Sequence, residues 1–193
     1  MLIDISIPID PNDEDLISGL DADLTDLIRN GHIGTHIDVK DKTFDLSNCI
    51  RNGRIFNATH VKDGEIEPDD LYGIEKIVKN DFVIIHTGWS NEEEYGTASY
   101  FDNHPELSMD LIGYFVSKGV SLIGIDGPGL KRGELHGKVD QYLADHGIFV
   151  VENLCNLKHV EGELFQTYCF PMNFVNVSGI PCRVIIETMP MSV

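Results

Sequence analysis

A mixed α/β domain with more strand than helix is the architecture this sequence predicts, and three observations predict it. Short runs rich in Val, Ile and Phe recur along the chain, bounded by Gly, Pro, Asn or Asp. Two or three segments of helical periodicity stand between some of these runs. The closing residues read as a hairpin around VSGIPC (177–182), which argues against a purely parallel sheet.

Taken in order, the strand-like runs begin with LIDISI (2–7), where Leu2, Ile3, Ile5 and Ile7 stand around small or acidic residues. RIFNATHV (54–61) and FVIIHTGW (82–89) follow, then VSLIGID (120–126), GIFVVEN (147–153), YCFPMNFVNV (168–177) and PCRVIIE (181–187). The first clear helix is SMDLIGYFVSKG (108–119), with Ser108 as N-cap, a stripe of Leu111, Ile112, Phe115 and Val116, and Gly119 as its stop. The second, GELHGKVDQYLADHG (133–147), spaces Leu135, Val139, Tyr142 and Leu143 helically and ends at Gly147. A further helix fits EPDDLYGIEKIV (67–78).

With 193 residues, no internal repeats and no Pro/Ser-rich linker, one domain over 1–193 is the economical expectation. The net charge of −18 repels phosphate backbones, so nucleic acid is not an expected partner. No stretch approaches the ~20 apolar residues of a membrane span. The start, MLIDISIPID, lacks a secretory pattern, which points to a cytoplasmic protein. Cys49, Cys155, Cys169 and Cys182 form no C-x-x-C pair. Nucleophile-elbow, Walker, H-E-x-x-H and G-x-G-x-x-G motifs are also absent from the sequence.

The segment NGHIGTHIDVKDK (30–42) places His32, His36 and Asp38 within seven positions. Its β-branched residues Ile33, Thr35, Ile37 and Val39 alternate with them, as in a strand. A straight strand rises ~3.3 Å per residue and would hold the two histidines ~13 Å apart, too far for one ion. A helix would bring them together but turn Asp38 away, and Gly34 among β-branched residues resists helix. A bend at Gly34 lets the histidines converge, with His36 and Asp38 pointing the same way. The alternative is a strand edge with solvated polar residues.

H-x-G-T-H-x-D, here His32 to Asp38, resembles the signature of the cyclase family, which includes bacterial kynurenine formamidases and related metal-dependent amide hydrolases. Further pieces are similar in the same order: IIHTGW, the segment YFDNHPELSMDLIGYFVSKGVSLIGIDGPGL, HGIFVVENLCNL and FPMNFVNVSGIPCRVI. The resemblance implies a mixed-sheet swivelling β/β/α fold, a homodimer or homotetramer, and one or two divalent ions, zinc or manganese. It implies hydrolysis of a small amide, cyclic amide or ester by a metal-activated water, as in an arylformamidase.

Carried over by position, His32, His36, Asp38 and Glu152 match metal ligands. The family's later histidine falls at Asp140, with His136 one helical turn earlier, so either Asp140 ligates in its place or His136 does. The motif's closing histidine, a proton shuttle, falls at Lys42, and its proline at Lys40. Lys42 could act as a base only with a lowered pKa. His86, at the end of FVIIH, could replace that shuttle or be a structural strand-end residue. These departures leave a second reading open, a degenerate member that binds a metal or ligand without turnover.

Overall fold

The computed structural model describes residues 1–10, 29–62, 64–160 and 164–188. Ten strands are present among them: β1 (Leu2–Asp4), β2 (His36–Asp38), β3 (Ile50–Asn57), β4 (Glu65–Ile66), β5 (Phe82–His86), β6 (Glu106–Leu107), β7 (Leu122–Ile125), β8 (Phe149–Glu152), β9 (Phe165–Pro171) and β10 (Gly179–Glu187). Four α-helices join them: α1 (Trp89–Glu92), α2 (Ala98–Asp102), α3 (Met109–Lys118) and α4 (Gly133–Asp145).

Eight of the strands form one mixed sheet in the order β1-β10-β2-β8-β7-β5-β3-β9. The centre, β3-β5-β7-β8, is parallel, while β2, β10 and β9 run antiparallel to their neighbours. β9 pairs with both β3 and β10, which curls the sheet into a barrel. This is the swivelling mixed α/β fold with a barrel core. β4 and β6 make a separate two-stranded parallel pair.

Alternation along the parallel strands separates two apolar cores. Val83, Ile85, Ile123, Ile125 and Val150 face a core shared with Leu111, Ile112 and Phe115 of α3 and Val139 and Leu143 of α4. Phe82, Ile84, Leu122, Phe149 and Val151 face the other, with Ile37, Phe165, Val184 and Ile186. Such double-sided burial explains why these strands read as continuous apolar runs.

The helices follow their sequence signals. Ser108 Oγ accepts from the Leu111 N–H at 3.1 Å, and Gly119 closes α3 with φ 64°. On α4 the buried face is Val139, Asp140, Leu143 and Ala144, while Leu135 and Tyr142 are exposed. A carboxylate therefore lies on the inward face. Residues 67–78 form two 3-10 turns, Pro68–Asp70 and Ile74–Lys76, rather than a helix. The strand expected at 168–177 ends at Pro171, and the hairpin partner β10 begins at Gly179. No helix among the described residues is long and apolar enough to cross a membrane.

Candidate metal centre

The segment carrying the histidines bends where the glycine stands: Gly34 has φ 60°, and only His36–Asp38 is strand. The bend brings His32 Nδ1 to 3.1 Å from His36 Nε2 and 3.1 Å from Asp38 Oδ1. In the antiparallel register of β2 and β8, His36 stands directly opposite Glu152, with His36 Nε2 3.4 Å from Glu152 Oε2. Glu152 is the last residue of parallel strand β8, so the cluster sits at the carboxyl end of that strand, a usual ligand position in such sheets.

Helix α4 supplies the other side. His136 Nε2 lies 3.3 Å from Asp140 Oδ2 and 3.5 Å from Glu152 Oε1. The structure thus brings His136 and Asp140 together instead of choosing between them. Two overlapping groups result, each able to hold a divalent ion: His32, His36 and Asp38, and then Asp38, His136, Asp140 and Glu152. Asp38 belongs to both.

The chemistry of the set fits a cation. Asp38, Asp140 and Glu152 are at most 3% exposed, yet both oxygens of Asp38 and Asp140 and Oε1 of Glu152 lack a hydrogen-bond partner. Buried carboxylate oxygens without partners are costly unless a cation meets them. Atoms bound ~2.0–2.1 Å from one tetrahedral ion stand roughly 3.4 Å apart, close to the separations here. Burial pushes Asp140 up to about 8, helped by the Asp38 charge and opposed by Lys40. Burial also raises Glu152 well above the usual carboxylate range, with Asp38 and Asp140 adding to it. Asp38 goes the other way: burial opposes ionisation, but contact with His32 and the charges of His36 and His32 prevail. Burial lowers His36 despite the attraction of Asp38, which favours the neutral imidazole that binds metal.

The opposite nitrogens are anchored, as ligating histidines require. His36 Nδ1 is 2.9 Å from the Gly34 carbonyl, so as its donor it leaves Nε2 free to face the cluster. His32 Nε2 meets Ser178 Oγ at 2.9 Å, and His136 Nδ1 lies 3.2 Å from the Lys131 carbonyl. Asn153 Nδ2 donates to the same Gly34 carbonyl at 2.9 Å, and its Oδ1 accepts from Tyr100 Oη at 3.0 Å. Thr35 Oγ1 donates to the Asn153 carbonyl and accepts from the Ile7 N–H, tying the bend to β8 and the N-terminal segment. Gly129 allows a close approach: a Cβ there would stand 2.5 Å from His136 Nδ1 and 3.2 Å from Glu152 Oε1.

A half-open cavity of about 240 Å³ leads to the cluster, lined by His32, His36, Tyr95, Phe101, Pro128, His136, Glu152 and Asn153. The Tyr95 hydroxyl accepts from the Gly34 N–H at 2.8 Å. Neither Lys42 nor His86 lines this cavity. Lys42 Nζ turns away to Asp145 at 2.7 Å and Asp41 at 3.0 Å, and these contacts raise its pKa, so the condition for a base is not met. His86 ends β5 opposite Asn57, half-buried, with its pKa lowered by burial against the pull of Asp126.

The supporting residues Ser178, Asn153, Tyr95, Phe101 and Gly129 escape sequence reasoning. ENL and GIDGPGL are visible as strings, but nothing in their spacing shows that Asn153 braces the His36 bend or that Gly129 abuts His136. Trp89 and Phe44 are not among the aromatic residues of the pocket: Trp89 Nε1 donates to the Tyr100 carbonyl, and Phe44 packs on Phe149.

A barrel-cored α/β fold with a His, Asp and Glu cluster at the end of a parallel strand defines a class of metal-binding folds, and comparison places the chain within it. The Cyclase family model matches residues 3–132, more than half of the chain. The chain belongs to the cyclase family, as a divergent member. Kynurenine formamidase of Bacillus cereus (strain ATCC 10987 / NRS 248) is 28% identical over 129 residues, 64% of this chain and 54% of its own length. That of Bacillus mycoides (strain KBAB4) is 29% identical over 127 residues, again 64% and 54%. The chain thus spans about half the length of the curated relatives it matches.

The fold matches a structure described as a potential metal-dependent hydrolase with cyclase activity, with TM-score 0.76 and 22% identity, covering 98% of this chain and 99% of that one. It also matches isatin hydrolase A from Labrenzia aggregata bound to benzyl benzoate, with TM-score 0.73 and 15% identity, covering 96% and 93%. His136, Asp140 and Glu152 lie beyond the family match, so for them the geometry is the main support.

Proposed function

We propose that the chain is a metal-dependent hydrolase of a small amide, cyclic amide or ester, with His32, His36, Asp38, His136, Asp140 and Glu152 as the metal-holding set. The observation that carries this reading is the convergence of three anchored imidazoles with three buried carboxylates, five of whose six oxygens lack a hydrogen-bond partner, at the floor of a half-open cavity. When bound, a zinc or manganese ion would supply an acidified water and polarise the substrate carbonyl. The chain's own residues hold the ion, shape the entrance with Tyr95, Phe101 and Pro128, and keep the imidazoles in their ligating tautomers. The cavity is smaller than the ~300–1,000 Å³ of drug-sized pockets, which favours a substrate of one or two rings. The names of the relatives, kynurenine formamidase and isatin hydrolase, favour an amide among the three substrate types. Assembly as a homodimer or homotetramer belongs to the same proposal and is checked by sedimentation.

One observation favours the second reading, a member that binds without turnover. Lys42, at the proton-shuttle position, is held outward by Asp145 and Asp41. The test is turnover of an amide panel that includes N-formylkynurenine, using protein stripped by chelation and reloaded with Zn²⁺ or Mn²⁺. Hydrolysis that appears on reloading and is absent in His36→Ala supports the hydrolase. Tight metal binding with no hydrolysis supports the second reading.

A further inference from the structure

Lys40 is the feature that the proposed chemistry leaves unused. It stands two residues after Asp38 in left-handed backbone, φ 56°, a conformation that a side-chain-bearing residue rarely adopts. The turn is held in place: the N–H groups of Val39 and Lys40 both donate to the Ser178 carbonyl at 2.9 Å, and the Lys42 N–H donates to the Val39 carbonyl at 2.9 Å. A proline at position 40 could make neither the donation nor the positive φ. This turn sends the two neighbouring lysines to opposite sides. Lys42 goes outward to Asp145, whereas the Lys40 side chain, 21% exposed, runs past Gly137 on α4 and brings Nζ to 3.9 Å from Asp140 Oδ2.

We infer that the Lys40 ammonium takes the place of a second cation, so that each chain holds one divalent ion rather than two. The inference rests on the metal-site reading above. Its ground is charge balance in a buried site, where uncompensated charge of either sign is expensive. With neutral imidazoles, the anionic groups are three carboxylates, Asp38, Asp140 and Glu152. One divalent ion together with Lys40 neutralises them. Two divalent ions together with Lys40 would leave the pocket with two positive charges in excess. The ammonium stands beside Asp140, which leaves His32, His36 and Asp38 as the group that keeps the ion. His136, 3.3 Å from Asp140, then closes that side of the pocket together with Asp140 and Lys40.

Metal stoichiometry tests this directly. Wild type, Lys40→Arg and Lys40→Met are stripped, titrated calorimetrically with Mn²⁺, desalted and measured by elemental analysis. The Mn²⁺ electron paramagnetic resonance signal separates isolated ions from coupled pairs, and circular dichroism checks each variant's fold. The expected result is one ion with an isolated-ion spectrum for wild type and Lys40→Arg, and a second equivalent with a coupled spectrum for folded Lys40→Met. Two ions in wild type would overturn the inference while leaving the metal reading intact. One ion in Lys40→Met would also overturn it, because the limit would not then come from Lys40. No ion in any of the three would remove the metal reading itself.

Discussion

The two halves of the cluster are built in opposite ways. His32, His36 and Asp38 come from seven consecutive residues, and one glycine bend converts a strand-like alternation into a convergent triad. Asp38's other partners, His136, Asp140 and Glu152, come from helix α4 and strand β8 and meet only because the sheet folds as it does. The first half is rich in imidazole, and its bend is held by the local His36–Gly34 contact and by Tyr95, Asn153 and Ser178 from elsewhere in the chain. The second is dominated by carboxylate, abuts a lysine, and depends on a glycine for close approach. A locally encoded half should fail outright when one ligand is lost, and a tertiary half should weaken by degrees.

The largest effect is expected at the shared and imidazole side. His36→Ala or Asp38→Asn should lower metal affinity by more than ~100-fold and abolish metal-dependent turnover, read by calorimetry and by the amide assay. Gly129→Ala comes next on the tertiary side. Its Cβ would displace the His136 ring, and metal affinity should fall ~10-fold with the fold retained by circular dichroism. Ser178→Ala removes the contact to His32 Nε2 and should also cost roughly tenfold in affinity, without changing the unfolding midpoint of metal-free protein. If Gly129→Ala proves more damaging than Asp38→Asn, the contrast between the halves is wrong.

The legibility of the site follows the same division. The bend at Gly34 could be argued from strand rise alone, because the distance it had to bridge is fixed by local geometry. The mixed sheet was legible in its apolar runs and closing hairpin, and α3 in its cap and stripe. The inward face of α4 was not, because Asp140 occupies a buried position that periodicity assigns to an apolar residue. Nor could sequence place Lys40 and Lys42 on opposite sides, since that depends on a left-handed turn pinned to Ser178 in another part of the chain. The strand expected at 168–177 overran because Phe174 and Val175, although apolar, are exposed in the connection to β10.

A smaller effect concerns stability. His104 is 2% exposed, and burial lowers its pKa to about 4 from 6.5. Between those values the unfolded chain binds a proton that the folded chain refuses. The neutral-histidine contribution is therefore complete above pH 6.5 and lost as pH falls toward 4. At most about 3 kcal/mol is at stake. His104→Gln should flatten the dependence of the urea midpoint on pH across that window relative to wild type. The smallest effect is expected at Lys42→Met, which should change turnover by less than about twofold, since its exposed pairing with Asp41 and Asp145 lies outside the cavity.

The central claim is that the bent His32–Asp38 segment, β8 and α4 together hold a divalent ion. Anomalous diffraction from crystals grown with Mn²⁺ or Zn²⁺ tests it most directly. The account predicts a strong peak within bonding distance of His32 Nδ1, His36 Nε2 and an Asp38 oxygen. A map with no peak there, or with its strongest peak on another part of the molecule, would contradict it.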